Sequence, residues 1–297
     1  MTPTDRARRV ETRIALMFVA PLVIVLLAVA IWPLARTIFF SFTDAYLDDP
    51  TNYRFVGFAN FVTVWEDTTF WLAVRNTLVF TVVSVAIETV LGLAIALLLH
   101  RAFLGRGLVR AAILIPWAMP MVVSTRIWDW MLNDQFGLVN KALINLGVIS
   151  KGIAWTADPS LLLAVVICID VWVTTPFMVL LILAGLQLIP EDLYEAAEVS
   201  GVPHWKRFWS ITLPLVAPAI GVAMLFRTLD ALRMFDLSYV LAANNANTMT
   251  MSIYARDQLI GFQDLGVGSA ASTWVFLIIG LIAIVIVGLL RLDRSHH

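Results

Sequence analysis

Long uninterrupted apolar stretches, with no strict alternation and little amphipathic period, set the pattern of this chain. Ile14 to Ala35 and Leu265 to Leu290 carry no charge, Asn76 to Leu99 carries the single acid Glu88, and Ser160 to Leu188 the single acid Asp170. Two further stretches, Val109 to Leu132 and Ser210 to about Val240, begin apolar and then take on charge. Crossing a hydrocarbon core about 30 Å thick takes roughly 20 residues at the helical rise, and in lipid every backbone amide must find its partner within the segment. Six transmembrane helices are therefore predicted, in an all-α integral membrane protein.

Charge sets the orientation. Arg6, Arg8, Arg9 and Arg13 precede the first stretch, and Ala28-Val29-Ala30 within it resembles a signal-peptidase site. The apolar run continues beyond that site for longer than a signal sequence needs, which predicts an uncleaved first span. With the N-terminus inside, the cytoplasmic segments hold Arg101, Arg106, Arg110, Lys206, Arg207, Arg291 and Arg294 besides the first four arginines. The longer outer segments hold only Arg36, Arg54, Arg75, Lys141, Lys151, Arg233 and Arg256. This asymmetry predicts that both termini are cytoplasmic. The expected organisation is a cytoplasmic segment 1–13, one transmembrane domain 14–291 and a cytoplasmic tail 292–297, whose final His296 and His297 have the look of a tag remnant.

Composition agrees and excludes several classes. The chain of 297 residues is 60% hydrophobic and 14% charged, too apolar for an ordinary cytosolic enzyme. Its net charge of -1 argues against a nucleic-acid binder. Cys168 is the one cysteine and lies in an apolar run, so no disulfide framework exists. None of Lys141, Lys151 and Lys206 closes a phosphate-binding G-x-x-x-x-G-K-[ST] loop, and His100, His204, His296 and His297 lack metal-ligand spacing. No serine occupies a G-x-S-x-G elbow. The reading is a non-enzyme with no cofactor or metal of its own.

The connection between the fourth and fifth stretches reads as an ordered element. Pro190 suits the first turn of a helix, Glu191 and Asp192 complement its positive end, Ala196 and Ala197 favour its interior, and Gly201 can close it. His204, Trp205, Lys206, Arg207, Phe208 and Trp209 follow as a basic and aromatic belt suited to the headgroup region. On these grounds alone the segment is either a solvated amphipathic loop or a docking helix at about 190–201. EAAEVSG, then nine residues, then ITLP carries the full spacing E-A-A-x3-G-x9-I-x-L-P. That pattern resembles the EAA loop of ABC importer permeases.

The resemblance extends over most of the chain, through FVGFANF to RNTLVFT, IPWAMPMVVSTRIWDWMLNDQFGLVN, LAGLQLIP and FDLSYVLA. It narrows to the sugar-uptake branch, similar to the maltose and glycerol-phosphate permeases and most like the actinobacterial trehalose-uptake permeases. One departure is Ala243-Asn244-Asn245-Ala246-Asn247, where many relatives carry a glycine- and proline-rich outer loop. The resemblance implies the six-helix type I importer permease fold. It also implies that Glu195, Ala196, Ala197 and Gly201 form a coupling helix that docks on an ATP-hydrolysing subunit. The implied partners are a second homologous permease subunit, two ATPase subunits that bind ATP and Mg, an extracytoplasmic solute-binding protein or lipoprotein, a sugar and the lipid bilayer. The implied location is the cell membrane.

Charges within the spans are candidates for the solute path, since an ionised side chain facing lipid costs from about 2.5 kcal/mol upward. Arg126, Asp129 and Asn133 recur at helical spacing on the third span, and Arg227, Asp230, Arg233 and Asp236 alternate in sign on the fifth. At about 1.5 Å per residue Arg126 is expected roughly 25 Å from Val109, and Arg227 roughly 24 Å from Ile211. Trp128, Trp130, Phe235 and Tyr239 could stack on apolar sugar faces beside them. The alternative is that Arg–Asp pairs three residues apart neutralise one another as bundle glue, and that the aromatics are interface anchors. Glu88 and Asp170 are expected to satisfy neighbours inside the bundle. A self-contained secondary carrier or channel for a polar solute would also use intramembrane charges. It would leave the EAA helix without a task.

Overall fold

The computed structural model describes residues 3–242 and 245–293, with side chains described within 14–242 and 245–288. Ala243, Asn244, Arg294 and the terminal histidines lie outside the described residues. The helices are α1 (residues 3–40), α2 (Ala59–Glu66), α3 (Thr68–His100), α4 (Arg106–Ala118), α5 (Met121–Met131) and α6 (Leu138–Asn145). After these come α7 (Pro159–Gln187), α8 (Glu191–Val199), α9 (His204–Ala231), α10 (Asp236–Ala242), α11 (Met251–Arg256) and α12 (Leu265–Asp293). Five described helices are long and apolar enough to cross a membrane, or six if α4 and α5 count as one bent span.

Proline positions explain where these helices depart from regularity. α1 widens into a π turn at Leu27–Ile31 and α9 into another at Phe208–Thr212. Each lies just ahead of a proline, Pro33 or Pro214, which cannot donate to the carbonyl four residues back and whose ring crowds it. The third span departs further. Instead of running straight from Val109 to Leu132, it turns by 93° between α4 and α5. Met119, immediately before Pro120, is held extended (φ -83, ψ 143), because a proline pushes the preceding residue out of the helical region. The expected 25 Å from Val109 to Arg126 along one axis is therefore corrected. The fifth span is also shorter than expected, ending at Ala231, so Arg233 lies beyond it and Asp236 opens α10.

The chain divides into two compact units. The larger comprises residues 67–254 and 277–297, with α7 as its centre. The most apolar window of α7 is 72% buried, and its sides pack against α3, α4 and α9. Such burial on all sides matches a helix that is apolar all round. Asp158 caps it, accepting from the Ser160 hydroxyl at 2.7 Å and the Ser160 amide at 2.9 Å, which holds its carboxyl below the ordinary aspartate range. At its far end α3 is capped in trans. Arg110 Nη2 donates to the Leu99 carbonyl at 3.0 Å and Arg106 Nη1 to that of His100 at 3.4 Å. Two of the arginines on which the expected orientation rests thus also meet a negative helix terminus.

In the smaller unit, residues 1–66 and 255–276, Asn60 Nδ2 donates to the carbonyls of Ser41 (3.0 Å) and Thr43 (2.7 Å). Phe42 packs among Phe55, Phe58 and Phe61, and Trp274 lies against Phe61 and Trp65.

Candidate functional site

Two places in the larger unit gather the polar side chains. The first is the connection after α7. Glu191 and Asp192 fill the first turn of α8, and Pro190 (ψ 135) turns the chain out of α7 ahead of it. Gly201 adopts φ +69 and closes the helix in a Schellman arrangement. The Val202 amide donates to the Ala197 carbonyl and the Gly201 amide to that of Glu198, both at 2.9 Å. A side chain at Gly201 would meet left-handed strain of about 1–2 kcal/mol. Gly201→Ala is accordingly expected to leave membrane insertion intact and weaken any docking that needs this helix shape by several-fold, as read by co-purification of the bound partner.

α8 has two faces. Glu195 and Ala196 are exposed with Glu191, Asp192, Glu198 and Val199, whereas Tyr194 and Ala197 are partly buried. Val199 at the end of α8 is 90% exposed, and Leu188 in the turn before it 84%, so apolar side chains lie open beside the acids. Glu191, Glu195 and Glu198 line a cavity of about 530 Å³ together with His100, Arg101, His204 and Arg207. Acidic side chains of α8 thus meet basic ones of the same chain across this cavity, and Glu198 pairs with Arg207 at 3.1 Å.

The second place is a buried ion cluster that ties three spans together. Arg227 on α9 is 2% exposed, Glu88 on α3 0% and Asp170 on α7 2%. The Arg227 Nε donates to Glu88 Oε2 at 2.6 Å, Nη2 to Glu88 Oε1 at 3.1 Å and to Asp170 Oδ2, and Nη1 to Asp230 Oδ2 at 3.1 Å. The Thr174 hydroxyl lies 2.9 Å from Glu88 Oε1 and 2.7 Å from the Asp170 carbonyl. Glu88 and Asp170 are thus joined inside the bundle by one guanidinium, whose planar fork serves several carboxylates at once. Asp230 keeps 69% of its side chain exposed and faces a cavity of about 280 Å³. Trp117, Thr174, Phe177, Phe226 and Arg233 line that cavity with Arg227 and Asp230, and Trp117 stacks on Phe177 at 6.0 Å between ring centroids.

The remaining candidates are dispersed. Arg126 and Asp129 pair at 3.5 Å on α5, with Arg126 largely exposed. Asn133 lies beyond α5, where its Oδ1 accepts from the Gln135 and Phe136 amides. Trp128 packs edge-on against Trp172 (5.5 Å) and joins the apolar core, and Trp130 lies beside Phe136. Phe235 and Tyr239 stack on each other at 5.0 Å. Arg233 donates back to the Leu229 carbonyl at 3.1 Å. α10 packs on α5 and α7, which brings the segment opened by Asp236 beside the helix of Arg126.

Several contributors were missed by sequence reasoning. Trp117, Thr174, Phe177 and Phe226 look like ordinary span residues until the helices are assembled. Asn140 is another: its Nδ2 donates to the carbonyls of Asn133 (3.2 Å) and Ile153 (2.9 Å), and its Oδ1 accepts from the Ile153 amide and the Trp155 indole. One 2%-exposed amide thus organises the loop after α5.

The family model of the binding-protein-dependent transport system inner membrane component matches residues 88–294. The trehalose transport system permease protein SugA of Mycobacterium tuberculosis is 41% identical over 283 residues, 95% of this chain and 90% of that protein. The trehalose/maltose transport system permease protein MalF of Thermococcus litoralis is 40% identical over 297 residues, 98% of each chain. In fold the chain resembles a chain of a bacterial ABC transporter involved in alginate import, with a TM-score of 0.83 at 21% identity over 96% of this chain and 98% of that one.

Proposed function

This chain belongs to the family of binding-protein-dependent transport system inner membrane components, the multi-pass permease subunits of ABC importers, and on that premise we propose that it carries a disaccharide such as trehalose inward. The identity to a trehalose permease over 95% of the chain supports that sugar more than any other observation. The membership leaves the self-contained carrier without support. The proposed assembly pairs the chain with a second permease subunit over two ATPase subunits, with an extracytoplasmic binding protein delivering the sugar.

In this reading α8 seats on an ATPase subunit by its open face around Glu195 and Ala196, with the partly buried Ala197 behind that face and Gly201 holding the helix shape. Closure of the ATPase pair draws α8 with it, and the spans rock to accept the sugar. The cavity at Arg227 and Asp230 contributes to the path, where Trp117 and Phe226 offer apolar faces and Asp230 and Arg233 offer polar groups to hydroxyls. Arg126, Asp129, Asn133, Trp128, Trp130, Phe235, Asp236 and Tyr239 belong to the proposed path as its outer approach.

Purification of the chain from native membranes in mild detergent tests the reading. Recovery of a second permease, an ATPase and a binding protein, with trehalose-stimulated hydrolysis, is expected. A chain that purifies alone and moves sugar in liposomes without ATP overturns it. Glu195→Ala is expected to insert normally and to lose most sugar-stimulated ATPase activity, and unchanged activity counts against the docking role.

A further inference from the structure

If α8 docks on an ATPase subunit, its displacement must reach the spans through some physical tie, because coupling requires an element whose two arrangements both sites bias. We propose that Tyr194 is the positioning residue that passes displacement of α8 into the fifth span, through its hydroxyl contact with Thr212. This rests on the docking reading above and deepens it.

The geometry singles out this residue. Tyr194, next to Glu195 on α8, is partly buried, lines the same cavity as Glu195 and Thr212, and packs against the apolar cluster of Leu99, Ile182, Leu186, Ile189 and Val216. A phenol in such surroundings needs a polar partner. It finds the Thr212 Oγ1 at 3.0 Å. Thr212 is 6% exposed and closes the π turn Phe208–Thr212 in the first part of α9. A π turn holds a surplus residue in the helical ladder, so it can absorb a change of tilt or register at lower cost than a regular helix.

The other end of the connection is fastened to the same helix. Arg207, three residues into α9, donates from Nε to the Val202 carbonyl at 2.7 Å and from Nη1 to Glu198 at 3.1 Å. Among the described residues, the side-chain hydrogen bonds of α8 run to the α9 segment and none runs to α7. Towards α7 the connection is the short turn Leu188-Ile189-Pro190, in which Leu188 is almost fully exposed. α8 thus has polar ties to α9 at Tyr194 and at Glu198, one turn apart, while its contact with α3 and α7 is apolar. Tyr194 supplies the tie nearest the docking glutamate.

The test uses the whole transporter reconstituted in vesicles, comparing the unaltered chain with Tyr194→Phe, Thr212→Val, the double variant and Thr212→Ser. Three quantities are read: ATPase co-purification, thermal stability of the complex and sugar moved per ATP hydrolysed. Co-purification is expected to hold in all five, and stability in all but Thr212→Val, which leaves the Tyr194 hydroxyl without its partner. Sugar moved per ATP should fall about 3–10-fold in Tyr194→Phe and in Thr212→Val, the scale of one lost hydrogen bond. The double variant should be no worse than either single one, and Thr212→Ser should restore the ratio. An unchanged ratio in Tyr194→Phe, or losses that multiply in the double variant, overturns the proposal while leaving docking intact. If the unaltered chain fails to hold the ATPase, the docking reading falls and takes the proposal with it.

Discussion

Arg227→Met should leave little folded chain in mild detergent. Removing the guanidinium strands Glu88 and Asp170, 0% and 2% exposed, without the cation that both contact. Breaking a buried ion pair by deleting one partner costs about 3–5 kcal/mol, because the remaining charge has neither water nor a counter-ion. Here two carboxylates on different helices are left, so the loss should reach the upper part of that range. The measurement is the monodisperse fraction after size exclusion, with the melting temperature of what survives. The triple variant Arg227→Met, Glu88→Gln, Asp170→Asn separates this account from a simple loss of volume: with the stranded charges removed as well, most of the loss should be recovered. A triple variant as unstable as the single one would mean that the guanidinium acts by its shape alone. Asp230→Asn is the control, since its side chain stays 69% exposed and its pair with Arg227 is partly solvated.

This cluster also marks where sequence reasoning stops. The i,i+3 spacing of Arg227 and Asp230 was visible, and that pair forms at 3.1 Å. The stronger partners lie far away in sequence, at Glu88 and Asp170, and only the packing of three helices brings them to one guanidinium. The two lone acids are readable as satisfying neighbours inside the bundle, and Arg227 as a solute-path candidate or the partner of Asp230, but periodicity holds no information about which meets which. Elements governed by local chemistry were more legible. Pro190, the two acids and Gly201 delimit α8 within a residue or two, because capping and left-handed glycine act over one turn. The third span shows the opposite error. Its hydrophobicity runs on through Met119 and Pro120, so a hydropathy pattern draws one straight helix where the proline's constraint on Met119 imposes a 93° turn. An X-Pro step alone would not have placed the break, because Pro21, Pro116, Pro176 and Pro218 all sit inside continuous helices.

Substitution at Gly185 should separate the fourth and fifth spans. A Cβ at Gly185 falls onto the side chain of Ala219 and lies 3.3 Å from Val216 Cγ2, so α7 and α9 touch there almost backbone to backbone. On another side of α7, a Cβ at Gly92 of α3 would sit 2.8 Å from Met178 Cβ, so α7 has little room to shift away. Lipid supplies no hydrophobic force between helices, which leaves close van der Waals contact between small residues to hold such a pair. Gly185→Ala is expected to cost about 1–3 kcal/mol by overpacking, and Gly185→Leu enough to abolish a monodisperse peak. The compensating variant is Gly185→Ala with Ala219→Gly, which moves the methyl from one helix to the other at nearly constant volume and should restore most of the melting temperature. If the pair is instead as unstable as the two single changes combined, the glycine matters for its backbone and not for the approach of α9. The same contact bears on coupling, because Gly185 lies one turn before the chain leaves α7 towards α8. A Gly185→Ala chain that still folds should hydrolyse ATP with its partners while moving less sugar per ATP, since the fifth span, to which Tyr194 and Arg207 tie α8, can then no longer ride against the fourth at its close spacing.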